Sequence, residues 1–141
     1  GKCDKIRLEE EVLFLKNFVE IEKLRWGEKL RVDCNWIVAN RNFEIPPLLL
    51  IPFIENAFKY ASRTIGEQGF VKIELRQENS EFSFEIANSK STINSRRNTE
   101  ASGIGLENTR KRLNLLFGEN HHLKIEDEED NYHLKLEIWQ F

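Results

Sequence analysis

The chain has 141 residues, 40% of them hydrophobic and 32% charged, and a net charge of −3. That length suits one domain with a proper core, and that balance favours a folded domain over disorder. Charges of both signs are scattered without a basic excess, which argues against a nucleic-acid binder.

In chain order, residues 6–26 read as a helix. Leu8, Val12, Leu15 and Val19 are spaced four, three and four apart, and Phe14, Phe18 and Ile21 widen the stripe. Glu9, Glu10 and Glu11 sit near its start, where the helix dipole favours acids. Gly27 is free to adopt positive φ and end it. Leu30, Val32, Cys34, Trp36 and Val38 then alternate with Arg31, Asp33, Asn35 and Ile37, the period of a half-buried strand. After a loop closed by Pro46-Pro47, a second helix is expected from Pro47 to Ala61, with an irregular start at Pro52. Val71, Ile73 and Leu75 alternate again, as do Phe82, Phe84 and Ile86, with Asn79-Ser80 marking a hairpin between them. Residues 89–102 are polar, show no period, and read as a long loop. Leu106, Leu113, Leu116 and Phe117 mark a third helix that Gly118 caps. Two further strands, Leu123–Glu126 and Leu134–Trp139, flank the acidic turn Asp127–Asn131.

About five strands with alternating faces and three helices predict a two-layer α/β sandwich, one sheet face covered by helices and the other wet. No apolar run approaches the ~20 residues that span a bilayer, and no signal peptide is visible. Cys3 and Cys34 make no metal-binding pattern and read as ordinary thiols of a reducing compartment. The chain contains no methionine, so it reads as a piece of a longer protein.

Three stretches carry candidate chemistry. On the second helix, at about 100° per residue, Glu55, Asn56, Lys59, Tyr60 and Arg63 gather within roughly 140° of arc. Leu50, Ile51, Ile54, Ala57, Phe58 and Ala61 take the other side. Asn56 and Lys59 are i,i+3 neighbours, and an amide oxygen beside an ammonium suits a Mg²⁺ ion and the phosphates it neutralises. A core helix with a wet stripe, Lys59 snorkelling, accounts for the same pattern. Gly103-Ile104-Gly105-Leu106 stands where the third helix should begin, and helix N-terminal amides attract phosphate. On spacing alone a plain helix-entry turn fits better. The preceding loop brings Lys90, Arg96 and Arg97, as phosphate partners or as solvated charge. Third, Glu85-Ile86-Ala87-Asn88 ends a strand just before the loop. Asn88 there suits either a purine's exocyclic amine or a turn.

Together these stretches resemble one family. Glu55-Asn56-Ala57-x-Lys59 looks like the N-box of the ATP-binding domain of sensor histidine kinases. Phe84–Asn88 looks like its first glycine-box strand, and Gly103-x-Gly105-Leu106-x-Asn108 like its second. The branch resembled most is the LytS type, through Ile21–Trp26, Ile45-Pro46-Pro47-Leu48, Pro52-x-x-Glu55-Asn56-Ala57 and Gly103–Leu113.

The resemblance implies the ATP-binding fold shared with gyrase and MutL (the GHKL or Bergerat fold), with residues 1–27 continuing a dimerisation segment. Residues 28–141 would then be the catalytic domain and 89–102 its lid. It further implies that Asn56 coordinates Mg²⁺, Lys59 contacts phosphate and Asn88 reads the adenine amine. Gly103, Ile104, Gly105 and Leu106 would pass the phosphates, and Tyr60 stands where this branch often has His. Glu55 is a candidate to orient a metal-bound water. The implied partners are the chain's own upstream histidine segment, a response regulator and a second copy in the full-length protein. The implied location is a cytoplasmic domain of a parent anchored in the bacterial inner membrane.

The chain departs from the pattern in three ways. Asn88-Ser89-Lys90 replaces an Asp followed by glycines, which weakens the case for adenine binding and keeps a nucleotide-dead docking module as an alternative. Pro52 stands where ATP-hydrolysing relatives carry a carboxylate, so rapid hydrolysis is not expected. The phosphoacceptor histidine belongs to the upstream segment, and His121, His122 and His133, on the last two strands, are not expected to replace it.

Overall fold

The computed structural model describes residues 4–91 and 95–139, with the backbone alone over 95–105. Helix α1 runs from Leu8 to Trp26 and buries Leu8, Val12, Leu15 and Val19 on one stripe. It starts two residues later than the periodicity predicts. Ile6–Arg7 (β1) instead pairs antiparallel with Glu44–Ile45 (β3). Gly27 ends the helix at φ 55°, and its N–H bonds Lys23 O. α1 buries its stripe in the same core as the sheet.

The main sheet holds β2 (Leu30–Val38), β4 (Gly69–Glu78), β5 (Glu81–Ser89), β6 (His121–Asp127) and β7 (Asn131–Ile138), in the order β2-β4-β5-β7-β6. Only β2 and β4 are parallel. A parallel pair needs a crossover, and the segment carrying α2 (Ile51–Ala61) supplies it. β4 and β5 turn tightly through Asn79-Ser80, with Asn79 at φ 54°, a conformation Asn tolerates. Val71, Ile73, Leu75, Phe84, Ile86, Leu134 and Leu136 are buried on the helix-covered face. Lys72, Arg76 and Glu137 lie exposed on the other. The expected α/β sandwich with one wet face is therefore the fold.

Two helix starts differ from expectation. α2 begins at Ile51, not Pro47, because Leu48 sits at φ 60° and interrupts any helix before it. Pro52 then falls in the first turn, where its missing N–H costs nothing. α3 runs from Ser95 to Phe117, so Gly103 and Gly105 lie inside a helix and not at its mouth. Arg96, Arg97, Glu100 and Ala101 are good helix formers. The two glycines cost only about 1 kcal/mol each, which a helix of 23 residues tolerates. The lid expected over 89–102 is thus partly helical; residues 92–94 lie outside the described residues.

α2 presses closely on the start of β4. A Cβ on Gly69 would stand 2.5 Å from Ala61 O, 2.8 Å from Leu30 Cδ2 and 3.0 Å from Ser89 Oγ. Glycine here is a packing requirement.

Candidate functional site

The azimuth of α2 is set by its apolar face. Phe53, Ile54, Ala57, Phe58 and Ala61 are buried, and burial of each large side chain is worth about 1.5–3 kcal/mol. Phe53 lies 6.1 Å from Phe84 of β5 and Phe58 lies 6.3 Å from Phe18 of α1, ring centre to ring centre. So anchored, the helix turns Glu55 and Lys59 to solvent and leaves Asn56 half-buried. Tyr60 departs from the polar arc the sequence suggested. It is only 7% exposed, and Lys59 Nζ stands 5.9 Å from its ring centre.

Past the end of α2, Thr64 Oγ1 and Ser89 Oγ are hydrogen-bonded at 2.9 Å. Ser89 Oγ also accepts the N–H of Phe70 at 2.8 Å. The C-terminal end of the helix is thereby tied to the last residue of β5, beside Asn88. Asn88 is 1% exposed, and its Nδ2 donates to Ser89 O at 2.9 Å. That bond uses one of the two amide hydrogens, and the acceptor Oδ1 is left for a further partner.

Directly across from Asn88 on β7 is Tyr132. Its hydroxyl oxygen is buried and has no hydrogen-bond partner among the described residues. Burial, and secondarily the Asp127 carboxylate, push this phenol well above its usual range, while Arg110 of α3 opposes the shift and Tyr60 adds to it. Asn88 and Tyr132 are thus partners across β5 and β7, and Tyr132 lies within the electrostatic reach of Arg110 of α3 and Tyr60 of α2. An orphaned buried hydroxyl costs about 1–3 kcal/mol.

Other predicted groups fall elsewhere. Lys90 pairs with Asp127, its side chain is 12% exposed, and its N–H bonds Asp130 O at 3.0 Å. It is anchored to the β6–β7 turn. The side chains of Arg96, Arg97 and Ile104, and the surroundings of Gly103 and Gly105, lie outside the described residues. Leu106 packs partly buried against the core. His133 bonds the Glu85 carboxylate across the open face of the sheet, His121 contacts Gly118 O at 2.8 Å, and His122 is exposed.

No group of three or more His, Cys, Asp or Glu able to hold a metal occurs among the described residues. The single amide oxygen of Asn56 suits a cation that keeps waters and phosphates as its other ligands. Tyr132, Arg110, Thr64 and Ser89 were not singled out from sequence. Tyr132 was within reach, since strand parity puts it on the same face as Leu134 and Leu136.

No model of a known protein family matches the chain. The sensor histidine kinase BtsS of Escherichia coli is 28% identical over 127 residues, covering 90% of this chain and 22% of BtsS. The sensor protein LytS of Streptococcus mutans is 23% identical over 128 residues, covering 84% of the chain and 22% of LytS. The chain thus spans about a fifth of the length of these relatives. The catalytic domain of histidine kinase ThkA superposes with a TM-score of 0.64 at 18% identity, covering 99% of this chain and 97% of that domain. Full-length ShkA in complex with AMPPNP gives 0.64 at 17% identity, covering 98% of this chain and 31% of ShkA. ThkA in complex with the response regulator TrrA gives 0.63 at 16% identity, covering 99% of this chain and 42% of that chain. Relatives and fold together identify the chain as a homologue of sensor histidine kinases, LytS among them, built on the fold of their catalytic domains.

Proposed function

We propose that this chain is the ATP-binding catalytic part of a sensor histidine kinase, which transfers the γ-phosphoryl of ATP to a histidine on a segment upstream of it. The observation that carries this reading is the convergence of Asn88, the orphaned Tyr132 hydroxyl and Tyr60 at the end of α2, beside Asn56 and Lys59. Asn88 Oδ1 accepts the adenine amine. Tyr60 and Tyr132 flank the base, and the Tyr132 hydroxyl gains the partner it lacks. Lys59 contacts phosphate, and Asn56 holds Mg²⁺, with Glu55 orienting a water on it. Mg²⁺, when bound, neutralises charge on the phosphates. The chain's own contribution is positioning and charge, which is most of what phosphoryl transfer requires.

The structural relatives solved with AMPPNP and with a response regulator support this reading by analogy of fold. We infer the same classes of partner here, together with a second copy of the full-length protein and a parent anchored in the inner membrane. Among the described residues no helix is long and apolar enough to cross a membrane.

A calorimetric titration with Mg·ATP is the test. Saturable binding is expected, and Asn56→Ala or Asn56→Asp should abolish its Mg²⁺ dependence with the fold intact. Absence of heat at millimolar nucleotide would sink the reading in favour of a nucleotide-dead docking module, the alternative that Asn88 and the missing glycines favour. Rapid ATP turnover by the chain alone would point to a hydrolase, against the placement of Pro52 in the first turn of α2.

A further inference from the structure

α2 enters from a turn that two other helices hold. Glu11 of α1 is a carboxylate only 1% exposed, and carboxylates are rarely buried that far without paired partners. It accepts the backbone N–H groups of Leu48 and Leu49 and lies within the field of Arg112. Its Oε2 has no hydrogen-bond partner among the described residues. From α3, Arg112 donates through Nη2 to Pro47 O at 2.8 Å and through Nη1 to Leu48 O at 3.1 Å. The N–H groups of the turn are thus taken by α1 and its carbonyls by α3.

The turn needs holding. Leu48 adopts φ 60°, which is unfavourable for a residue with a branched side chain. That side chain is 52% exposed, so burial does not compensate the strain. Leu50, the N-cap of α2, makes no side-chain capping bond. What fixes the first turn of α2 therefore comes from outside it.

We propose that Glu11 and Arg112 are positioning residues, which clamp the 47–50 turn from α1 and α3 and so set where Asn56 and Lys59 stand. This rests on the nucleotide reading of α2. A helix advances 1.5 Å and turns 100° per residue, so a slip of one residue at Ile51 would carry Asn56 off its bearing. Misplacements near 1 Å already cost reactions about a hundredfold. The clamp also ties α2 to the helix that carries Arg110 toward Tyr132. The two walls of the pocket then move together, and α1 is mechanically continuous with both.

The experiment compares Glu11→Ala, Glu11→Gln, Arg112→Met and Arg112→Lys with Ile138→Val, a mild core change on β7. Mg·ATP affinity is read by calorimetry. Amide hydrogen exchange is read at Phe53 and Ile54, whose N–H groups bond Leu50 O. Glu11→Ala and Arg112→Met should weaken Mg·ATP at least tenfold and speed exchange at Phe53 and Ile54, while β4 and β5 amides keep their protection. Glu11→Gln retains a carbonyl acceptor and should recover most of the affinity, whereas Arg112→Lys, without the planar fork, should recover little. Affinities within twofold of the unaltered chain, or losses matched by Ile138→Val at equal melting temperature, would overturn the proposal. If Glu11→Ala fails to fold, Arg112→Met, at a half-buried position, carries the comparison. If the unaltered chain does not bind Mg·ATP, the nucleotide reading fails and exchange decides the clamp: faster exchange at Phe53 and Ile54 supports it, and unchanged exchange refutes it.

Discussion

Replacing Ser89 with Ala should destabilise the fold and loosen the pocket at the same time. Ser89 is 5% exposed. Its hydroxyl accepts the N–H of Phe70 at 2.8 Å and meets Thr64 Oγ1 at 2.9 Å. Each lost bond is worth about 0.5–1.5 kcal/mol, and a stranded buried hydroxyl adds about 1–3 kcal/mol. Phe70 borders solvent and can rehydrate its N–H, whereas Thr64, 8% exposed, has little access to water. The net loss is then about 2–3 kcal/mol, and at roughly 3–4 °C per kcal/mol for a domain of this size the melting temperature falls about 6–12 °C. Urea unfolding followed by tryptophan fluorescence gives the free energy directly. Thr64→Val removes the same interaction from the other side, so the double variant should cost about 1 kcal/mol less than the sum of the singles. A loss below about 0.5 kcal/mol with an unchanged denaturant slope, or strict additivity in the double variant, would refute the reasoning that this pair fastens α2 to β5.

Gly69→Ala should cost about 1–3 kcal/mol by overpacking, because the added methyl would meet Ala61 O at 2.5 Å; thermal unfolding reads it. Asn88→Ala should reduce the preference for ATP over GTP by about 1–3 kcal/mol, the worth of a buried polar partner, as measured by competition calorimetry. Glu11 has a folded-state pKa raised from 4.5, chiefly by burial, with the Leu49 and Leu48 N–H groups and Arg112 opposing. The folded protein therefore holds this proton more tightly than the unfolded chain. The associated stability is fully present below pH 4.5 and is lost as pH rises through the raised value. Glu11→Gln removes that dependence. Its stability relative to the unaltered chain should climb with pH from about 4.5 upward, and a flat difference in urea titrations would contradict the assignment.

The sheet was legible because alternation reports a face. Val71, Ile73, Leu75 and Phe82, Phe84, Ile86 are buried as their period requires. The positive φ at Gly27, Gly118 and Asn79 follows from residue type. The start of α2 was not legible, because nothing local makes a leucine adopt φ 60°. Glu11 and Arg112, distant in sequence, hold the turn there. The first turns of α3 were hidden for a different reason. A polar helix shows no apolar period, so residues 95–102 read as a loop. In the candidate site, Asn56, Lys59 and Asn88 stood out by residue type and spacing. Strand parity gives the face of Tyr132 but not its partner Asn88 across β5 and β7, and no local pattern brings Arg110 of α3 near it.

The strand order has a consequence for how the protein assembles. β4 and β5 need only the two-residue turn at Asn79-Ser80, and β6 and β7 only the short turn between Asp127 and Asn131. Hairpins of this kind form in about 1–10 μs. The parallel pairing of β2 with β4 spans the crossover through α2, and the pairing of β5 with β7 spans the segment that carries α3. Such distant pairings are the slow steps of folding. The β4–β5 hairpin that ends at Asn88–Ser89 is therefore a local structure, and its pairing with Tyr132 across β7 is the distant one.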